Sequence, residues 1–566
     1  MADLFKPVAL TGNAVVDSLI LGGAWNAATL TYGFKAQDID ANGIDDFSEG
    51  DWKAFYREIY DTVSSVANVD FVEGSVARAQ LIQRLDVGGG GESGTPALGV
   101  TSLETAVGID PTSVKGAADV VRLGTYSETW IHEIGHSLGL GHPHDGENGK
   151  LPGVVEPGDF GTGNLNSQIY TVMGYTFPFW GEDNPFTPER DENTALSAQP
   201  GSFGAIDIAA LQHLYGARAH NAGNDVYRFS DDVDANRGYT TIWDTGGSDT
   251  IVYEGSSAAK IDLRAATLKA EIGGGGWLST SETLTGGVTI ANGVSIEKAK
   301  GGAGDDILIG NDGANRLDGG RGADRMSGGL GNDTYVTDGR DTIEEAARSG
   351  TDQVLSSASH RLGTNLETLR LIGSKAVEGI GNAVANTITG NGAGNMLTGG
   401  AGNDVFTGGE GADTFLFRTR PGTGNIDHIR DFSVAEDVVA LSSKVFAALR
   451  AGPLAEKAFK DLSSGRADAD DRVLYDATTG TLSYDADGSG AGTAHTFAVI
   501  DTKVHLSFAD MLVVQGSRRR QGDWSGIERA SGAAPERYCP GAMRKPHFLA
   551  GSVRFRIASI CAISVS

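Results

Sequence analysis

Apolar and polar residues alternate in two different ways along the chain, and the first way is typical of ordinary helices and strands. Residues 29–34, TLTYGF, form a short apolar run that predicts a strand. From Trp52 to Val63, aromatic and aliphatic residues recur at the spacing of one helix face, which predicts an amphipathic helix. A further strand is predicted over 119–123 and a further helix over 206–215.

Two segments between these elements have no regular apolar spacing. Residues 86–117 and 143–204 are rich in Gly, Pro and Asn, which favour turns. We therefore predict loops over both segments, within a mixed α/β region.

The second pattern begins after about residue 240 and repeats every nine residues. Four nonapeptides start at Gly301, and four more start at Gly381. Their sequences are GGAGDDILI, GNDGANRLD, GGRGADRMS, GGLGNDTYV and then GNAVANTIT, GNGAGNMLT, GGAGNDVFT, GGEGADTFL. They match G-G-x-G-x-D-x-U-x, a calcium-binding repeat in which U is a large apolar residue.

Each nonapeptide predicts a turn followed by a short strand with one inward apolar residue. In the first block the inward residues are Leu308, Leu317, Met326 and Tyr335. A Gly/Asp-rich flexible linker is the alternative, but a linker has no reason to keep this apolar position. The repeats therefore predict a parallel β-roll.

If two nonapeptides complete one coil, turns 18 residues apart stack and share calcium. The predicted carboxylate or amide pairs are Asp306 with Asp324, Asn315 with Asp333, Asn386 with Asp404, and Asn395 with Asp413. The turn glycines predicted to line these sites are Gly301, Gly302, Gly304, Gly319, Gly320, Gly322, Gly328, Gly329, Gly331, Gly399, Gly400, Gly402, Gly408, Gly409 and Gly411. Turns with Asn supply less charge and should bind calcium more weakly.

The charge of the chain agrees with bound cations. The formal net charge is −28, and 82 of the 566 residues are Gly, with much of the Asp inside the Gly-rich stretches. Nucleic acid is not expected as a partner, because phosphate binding needs clustered Lys and Arg. Without calcium, like charges and few apolar groups should leave the repeats disordered, which would favour export from a low-calcium cytosol.

Several other classes of protein are not expected from the sequence. The N-terminus lacks the charged and apolar segments of a cleavable signal peptide, and no apolar run is long enough to predict a membrane span. Both cysteines, Cys539 and Cys561, lie near the end of the chain. A disulfide framework therefore cannot hold the main body together.

Residues 130–142, WIHEIGHSLGLGH, contain two overlapping catalytic signatures. One is G-x-S-x-G, which would make Ser137 the nucleophile of a hydrolase, but about one such match is expected by chance in a chain this rich in Gly. The other is H-E-x-x-H-x-x-G-x-x-H, the pattern of a zinc peptidase. The preceding residues predict a helix, whereas a serine elbow needs an apolar strand there.

A helix places His132 and His136 one turn apart on the same face, where both imidazoles can bind one zinc ion. Gly139 can adopt a left-handed conformation that ends the helix and turns the chain, so that His142 supplies the third ligand. Three protein ligands leave one position open, as catalytic zinc requires. Glu133 is then the general base, which removes a proton from a zinc-bound water and returns it to the leaving amine.

The extended motif resembles the metzincin zinc endopeptidases, and TVMGY, residues 171–175, is similar to their Met-turn. Together with the calcium repeats, it resembles the serralysins, which are secreted bacterial metalloproteases. Similar segments run through most of residues 17–514. The resemblance implies a mixed α/β catalytic domain followed by a parallel β-roll.

The resemblance also implies roles for particular residues. Met173 would form an apolar floor under the metal, and Tyr175 would be a displaceable zinc ligand that helps stabilise the oxyanion. Gly174 stands where the family usually has Ser, and a small residue is expected to be tolerated. Asp244 and Asp249 would bind calcium at the start of the roll, although the preceding HNAGNDVY departs from the usual Arg-bearing form.

Two further segments leave alternatives open. Residues 38–49, DIDANGIDDFSE, fit the EF-hand loop pattern at five positions, but a polar loop that caps the next helix is the alternative. SFADMLVV, ending at Val514, resembles the uncleaved C-terminal signal of a one-step (type I) exporter. The tail from Ser517 has nine Arg or Lys and three Asp or Glu, so we interpret it as a frameshifted or read-through extension, with a genuine appended segment as the alternative.

We therefore predict residues 1–16 as an N-terminal segment, 17–220 as a metzincin catalytic domain, 221–515 as a β-roll with the secretion region, and 516–566 as an atypical tail. The predicted protein is a secreted, extracellular, monomeric endopeptidase with one catalytic Zn²⁺ and several structural Ca²⁺. Its partners would be protein or peptide substrates and the exporter. A calcium-binding adhesion protein and a secreted lipase that uses Ser137 are the alternatives.

Overall fold

The computed structural model describes most of the first 515 residues. The described ranges are 5–35, 52–87, 92–93, 103–109, 127–146, 148–176, 200–232, 238–284, 286–488 and 492–515. All of them belong to one compact unit, Met1–Trp524. The EF-hand-like segment 38–49, the predicted strand 119–123 and the basic tail 516–566 lie outside the described residues.

The N-terminal region combines helices with a mainly parallel sheet. Its helices are α1 (Ala14–Asp17), α2 (Trp52–Val66), α3 (Ser127–Ser137) and α4 (Ala205–Tyr215). Its strands are β1 (Phe5–Pro7), β2 (Gly23–Trp25), β3 (Thr29–Phe34), β4 (Asp70–Glu73), β5 (Leu81–Val87), β6 (Glu92–Ser93) and β7 (Leu103–Ile109). The larger sheet has the order β4-β3-β5-β7-β6, in which only β6 is antiparallel to its neighbour.

Helix α2 forms where the helical spacing of apolar residues predicted it. Phe55, Tyr56, Ile59, Tyr60 and Val63 are all buried in the core. Strand β3 also has the predicted bounds, and α4 begins one residue before its predicted start. Apolar residues were a sufficient signal for these three elements because each packs most of them into the core.

Within residues 86–117, the prediction of a loop was wrong for the described residues, 86–87, 92–93 and 103–109. Strand β5 extends to Val87, β6 lies inside the segment, and β7 pairs with β5 in parallel over its whole length. Leu103, Thr105, Val107 and Ile109 alternate with smaller or polar residues, which is a strand period. The surrounding Gly and Pro residues obscured this signal.

The first residues of the chain pack with the rest of the unit. Strand β1 pairs with β2 in an antiparallel manner, and Val15 and Val16 of α1 are buried. The Asn13 side chain donates a hydrogen bond to the carbonyl of Leu268, 2.9 Å away. None of the helices among the described residues is both long and apolar enough to cross a membrane.

The C-terminal region consists of short, mostly parallel strands. In its first part they are β8 (Val226–Phe229), β9 (Tyr239–Ile242), β10 (Thr250–Tyr253), β11 (Ala259–Asp262), β12 (Thr280–Ser281), β13 (Gly287–Ile290), β14 (Lys298–Lys300), β15 (Ile307–Ile309), β16 (Arg316–Asp318), β17 (Arg325–Ser327), β18 (Thr334–Thr337), β19 (Thr342–Ile343), β20 (Gln353–Ser356), β21 (His360–Arg361) and β22 (Thr368–Leu371). They continue as β23 (Glu378–Ile380), β24 (Thr387–Thr389), β25 (Met396–Thr398), β26 (Val405–Thr407), β27 (Thr414–Phe417), β28 (Asp427–Ile429), β29 (Val438–Ser442), β30 (Gly452–Pro453), β31 (Phe459–Asp461), β32 (Val473–Asp476), β33 (Thr481–Tyr484), β34 (His495–Ile500) and β35 (Met511–Val514).

Successive nonapeptide strands alternate between two facing sheets, so strands 18 residues apart are neighbours. Ile307 pairs with Arg325 between β15 and β17, and Arg316 pairs with Thr334 between β16 and β18. One sheet has the order β31-β32-β33-β34-β28-β26-β24-β22-β20-β18-β16-β14-β10-β8, while β12-β11-β15-β17-β19 and β21-β23-β25-β27-β29-β35-β30 form the facing sheets. The expected fold class, a mixed α/β region followed by a parallel β-roll, is confirmed.

The inward residues of the roll form a continuous apolar core. Leu308, Leu317, Met326 and Tyr335 are fully buried, as the repeat predicts. The roll continues through residues 337–380 without nonapeptides, because β20 and β22 extend the sheet that contains β18 and β24. Strand β35, the end of the predicted secretion segment, pairs with β29 inside the same architecture.

Candidate metal centres

Helix α3 holds two of the predicted zinc ligands. Trp130, Ile134 and Leu138 anchor one side of the helix in the core. His132 and His136 are also largely buried, on the side that faces residues 172–175. The helix therefore fixes the spacing of the two imidazoles before any metal binds.

The chain turns at Gly139 and brings His142 to the same place. Gly139 has a φ of +102°, and a Cβ atom there would lie 2.6 Å from the carbonyl oxygen of Gly23. A residue with a side chain would therefore meet both conformational strain and a clash. After the turn, His142 Nε2 lies 3.1 Å from His132 Nε2 and 2.9 Å from His136 Nε2.

The opposite nitrogen of each ring has its own acceptor. His132 Nδ1 lies 2.8 Å from the Val172 carbonyl oxygen, and His136 Nδ1 lies 2.7 Å from the Leu140 carbonyl oxygen. His142 Nδ1 lies 2.6 Å from Asp145 Oδ2. Carbonyl and carboxylate oxygens only accept, so each Nδ1 carries the proton and each Nε2 presents a lone pair.

Three lone pairs that point at one another are unfavourable unless a cation lies between them. Burial, reinforced by the neighbouring imidazoles, lowers the pKa of His132 to about 3 and the pKa of His136 to about 4. Both rings are therefore neutral near pH 7, as metal ligands must be. Three neutral nitrogens with one open side fit catalytic zinc.

Tyr175 lies next to this group. Its hydroxyl oxygen is 2.8 Å from His142 Nε2, and its side chain is 48% exposed. Burial raises the pKa of Tyr175, and the charges of Glu133 and Asp145 raise it further. The phenol thus stays protonated at neutral pH and is accessible to a molecule that approaches the histidines.

Glu133 follows His132 directly on helix α3 and is buried. Burial is the largest cause of the raised pKa of both Tyr56 and Tyr175, and the charge of Glu133 adds to it in each case. As the residue next to His132 on the helix, Glu133 is suitably placed for a base that serves the same reaction centre.

The Met-turn passes under the histidines. Met173 is fully buried, and its sulfur packs against Gly135, between the two histidines on the helix. At Gly174, a Cβ atom would lie only 2.3 Å from the carbonyl oxygen of Asn166. In this backbone conformation a methyl group at position 174 would clash, so the glycine fits where a side chain would not.

Ser137, the alternative nucleophile, has no access to a substrate. Its side chain is completely buried, and its hydroxyl donates a hydrogen bond to the carbonyl of Ile134 at 2.7 Å. Trp25 Nε1 donates to the carbonyl of Ser137 on the other side. The serine is therefore part of the helix packing.

Sequence reasoning missed three residues around the histidines. Asp145 accepts from His142, and His144 stacks on the His142 ring with a centroid distance of 5.0 Å. Asp207 of helix α4 accepts hydrogen bonds from the Met-turn. The only available signal for Asp145 and His144 was their position just after the third histidine.

In the roll, the four predicted pairs stack as the 18-residue period requires. The backbone NH of Asp306 donates to Asp324 Oδ1 at 2.8 Å, and Asn315 NH donates to Asp333 Oδ1 at 2.7 Å. Asn386 NH and Asn395 NH donate in the same way to Asp404 and Asp413. The predicted turn glycines lie in the loops that carry these residues.

In each of these stacked Asp residues, Oδ1 accepts the backbone NH, and Oδ2 often has no hydrogen-bond partner among the described residues. Buried carboxylate oxygens without a hydrogen-bond partner are Oδ2 of Asp249, Asp324, Asp333, Asp341, Asp352, Asp404 and Asp413. A buried oxygen of this kind is costly unless a cation binds it. Rows of such oxygens next to glycine-rich turns fit calcium.

Burial and like charges raise the pKa of these carboxyl groups. Burial is the largest cause for Asp324, whose pKa rises to about 8, with Asp341 and Asp306 adding to it. The pKa of Asp333 and that of Asp413 rise to about 7. The metal-free roll therefore holds its carboxylates in an environment that disfavours their charge.

The start of the roll has a cluster of three carboxylates. One oxygen each of Asp225, Asp244 and Asp249 lies within 4.8 Å of the others. Asp225 NH donates to Asp249 Oδ1 at 2.7 Å, and Asp249 NH donates to Glu297 Oε2 at 2.8 Å. Asp225 comes from the HNAGNDVY segment, where the sequence did not assign a ligand.

The stacking also extends past both repeat blocks at irregular spacings. Asp341 accepts from Asp324 NH, and Asp352 accepts from Asp333 NH. After the second block, Asp427 accepts from Asp404 NH and Asp437 accepts from Asp413 NH. These four acceptors were missed because their spacings differ from 18 residues.

Two known families match the chain, and both matches lie between residues 205 and 415. Residues 205–373 match the family described as Peptidase M10 serralysin C terminal. Residues 380–415 match the RTX calcium-binding nonapeptide repeat. The second block of nonapeptides, which starts at Gly381, is therefore confirmed as RTX repeats.

Similar proteins include metallopeptidases of several bacteria. Metallopeptidase AprA of Pseudomonas marginalis is 35% identical over 199 residues, which is 33% of this chain and 38% of that protein. Serralysin of Photorhabdus laumondii is 37% identical over 201 residues, 33% of this chain and 37% of the relative. Serralysin of Proteus mirabilis is 37% identical over 210 residues, 34% and 37% of the two chains. The matched part thus spans less than two fifths of these relatives.

Proposed function

We propose that this chain is a serralysin-type protein and a secreted, zinc-dependent endopeptidase stabilised by calcium. Residues 17–220 would form the catalytic domain, and residues 221–515 would form the roll and the secretion region. The substrates would be proteins or peptides, hydrolysed at internal peptide bonds. We expect one zinc ion and several calcium ions in a monomer.

The observation that carries this proposal is the convergence of three imidazole lone pairs. Every Nδ1 is occupied by an acceptor, while the Nε2 atoms of His132 and His136 lie within 3.1 Å of His142 Nε2. A zinc ion there would be held by three nitrogens and, when no substrate is bound, by the Tyr175 hydroxyl. When bound, zinc supplies Lewis acidity, which polarises a peptide carbonyl and lowers the pKa of water.

Side chains of the protein then provide proton transfer, oxyanion stabilisation and positioning of the imidazoles. Glu133 accepts a proton from the attacking water and delivers it to the leaving amine. Tyr175 keeps its proton because its pKa is raised, so its hydroxyl can donate to the oxyanion of the tetrahedral intermediate. Met173 and the Nδ1 acceptors keep the imidazoles in place while the substrate enters.

We propose export through a one-step exporter that recognises the C-terminal segment ending at Val514. In calcium-poor cytosol the roll would remain unfolded, and extracellular calcium would fold it.

We also propose that the basic tail from Ser517 onwards is foreign to the ancestral protein. Intact-mass measurement of the secreted chain tests this, because retention of the full tail would contradict it.

The central test is hydrolysis of casein by purified chain and two variants. Glu133→Gln keeps the size of the side chain but removes the base, so casein hydrolysis should fall by about 10³-fold or more with zinc still bound. Ser137→Ala is the matched control and should keep near-normal activity, because Ser137 is buried.

The same experiment separates the alternatives. A zinc chelator should abolish activity, and metal analysis should find one zinc per chain. Ester hydrolysis that depends on Ser137 would instead support a lipase. Calcium binding without any hydrolysis would support an adhesion protein.

A further inference from the structure

The nonapeptide sequence pattern of the first block ends near residue 336, but the stacking of turns that carry an Asp continues beyond it. Residues 347–352, ARSGTD, occupy the place of the next G-G-x-G-x-D turn and keep only its third glycine and its Asp. Tyr335 pairs with Val354 between β18 and β20, which stacks this turn on the last nonapeptide turn. Asp333 NH donates to Asp352 Oδ1 at 2.8 Å, as in the regular pairs.

A third carboxylate reaches the same turn from the segment between the two strands. The hydroxyl of Tyr335 donates to Glu345 Oε1, and Ser349 Oγ donates to Glu345 Oε2 at 2.6 Å. These contacts orient Glu345 towards the two aspartates. One oxygen each of Asp333, Glu345 and Asp352 lies within 4.8 Å of the other two.

Two of these carboxylates point into the site with an unused oxygen. Asp333 and Asp352 are each 1% exposed, and Oδ2 of each has no hydrogen-bond partner. Within the part of the chain that the structure describes, no Lys or Arg forms an ion pair with the three residues. Three close carboxylates without a positive partner are strongly unfavourable unless a cation joins them.

We propose that Asp333, Glu345 and Asp352 form a calcium site that seals the junction between the first repeat block and the following coil. Three carboxylates supply more charge than the Asn–Asp pairs of the regular turns, so this site should be among the tighter ones. Oxygen-only ligands favour Ca²⁺ over metals that prefer nitrogen or sulfur. The ion would connect the folding of residues 301–336 to that of residues 337–380.

The test is calcium binding by the full chain with Glu345→Gln. This change removes one charge but keeps an acceptor for Tyr335, so the hydrogen bonds that orient the side chain can persist. Equilibrium dialysis with Ca²⁺ as the only added metal should show one fewer tightly bound ion, or one site weakened by about tenfold or more. Glu344→Gln is the matched control, since Glu344 is the adjacent, exposed residue and forms an ion pair with Arg325 at the surface.

Equal calcium binding by Glu345→Gln and Glu344→Gln would overturn the proposal. If Glu345→Gln does not regain native circular dichroism in excess calcium, Asp352→Asn replaces it, because its Oδ1 can still accept from Asp333 NH. Undiminished calcium binding by Asp352→Asn would equally overturn the site. Calcium binding is measured without any substrate, so its outcome is independent of whether the histidine site hydrolyses peptides.

Discussion

The third imidazole of the proposed zinc site has a side chain, and not a backbone carbonyl, as its Nδ1 acceptor. His132 and His136 are held by backbone carbonyls, which no substitution removes. His142 instead lies on the loop after α3, and its Nδ1–H donates a hydrogen bond to Asp145 Oδ2, 2.6 Å away. The carboxylate also makes the imidazole a more basic ligand.

We therefore predict that Asp145→Ala weakens zinc binding by about 10- to 100-fold, as is typical for the loss of such an acceptor. Competition with a zinc chelator measures the affinity directly. Asp145→Asn should recover part of the loss, since its amide oxygen can still accept from His142. Equal zinc affinity in all three proteins would show that the loop alone positions His142.

Tyr175 gives a second prediction at the same scale, because its hydroxyl is the accessible donor next to the histidines. Tyr175→Phe should lower kcat by about 10²-fold, the usual cost of losing one oxyanion donor, with a much smaller change in KM. Zinc content should stay at one per chain, because three histidines remain. A fall in zinc content that accounts for the whole loss of activity would contradict the donor role.

The zinc-site residues differ in how far the sequence reveals them. His132, His136, Glu133 and His142 share one motif, so their spacing on a helix and a turn is enough to predict that they meet. Asp145 and Asp207 act through hydrogen bonds that have no periodic signature. Their roles need the three-dimensional path of the loop and of helix α4.

At the scale of elements, helix α4 and the Met-turn are joined by one buried carboxylate. Asp207 accepts from Thr171 Oγ1 at 2.6 Å, from Val172 NH at 2.8 Å and from Gly204 NH at 2.9 Å. Complete burial raises its pKa to about 7, although the three hydrogen bonds oppose the shift. This contact holds the segment whose Val172 carbonyl orients His132.

Asp207→Ala should lower the free energy of unfolding by about 2–3 kcal/mol, because it leaves two buried backbone NH groups without acceptors. Urea unfolding of the zinc- and calcium-loaded chain measures this. Asp207→Asn should destabilise the protein much less, because its amide oxygen can accept from the NH groups of Val172 and Gly204. Its amide NH₂ can donate to the Thr171 hydroxyl, which then accepts this hydrogen bond. Equal losses for Ala and Asn would contradict this account.

The raised pKa of Asp207 also predicts a pH dependence. Between pH 4 and 7 the folded state holds a proton on Asp207 that the unfolded state has released, so this group lowers stability as pH rises through that window. Asn does not titrate. The melting temperature of Asp207→Asn relative to the wild type should therefore increase from pH 5 to pH 8, and a constant difference would contradict the shift.

Elements with a regular period were predicted well, and elements with an interrupted period were not. The strands of both nonapeptide blocks follow from one apolar residue that recurs in each short segment between glycine turns. Strand β7 was hidden by its glycine-rich flanks. Asp341, Asp352, Asp427 and Asp437 continue the stacked turns at spacings set by insertions in the loops, and no fixed repeat length reveals such spacings.

At the scale of the whole molecule, a net charge of −28 is combined with a roll that buries many carboxylates. Burial is the largest cause of the raised pKa values, to about 8 for Asp324 and about 7 for Asp333, Asp413 and Asp427. For each of these groups the folded, metal-free state binds a proton more tightly than the unfolded state. The stability of the metal-free roll should therefore fall as pH rises from about 4 to 8.

Because the stability of the metal-free roll should fall as pH rises, we predict that low pH partly substitutes for calcium in folding the roll. After calcium is removed with EGTA at pH 8 and the chelate is dialysed away into calcium-free buffer, the chain should have little β-structure by circular dichroism at pH 8 and should regain part of it at pH 5. With saturating calcium the signal should be nearly the same at both pH values, because the cation stabilises the ionised carboxylates. Equal loss of structure at pH 5 and pH 8 without calcium would mean that the glycine-rich turns need the cation for their geometry, and that neutralising the buried charge is not enough.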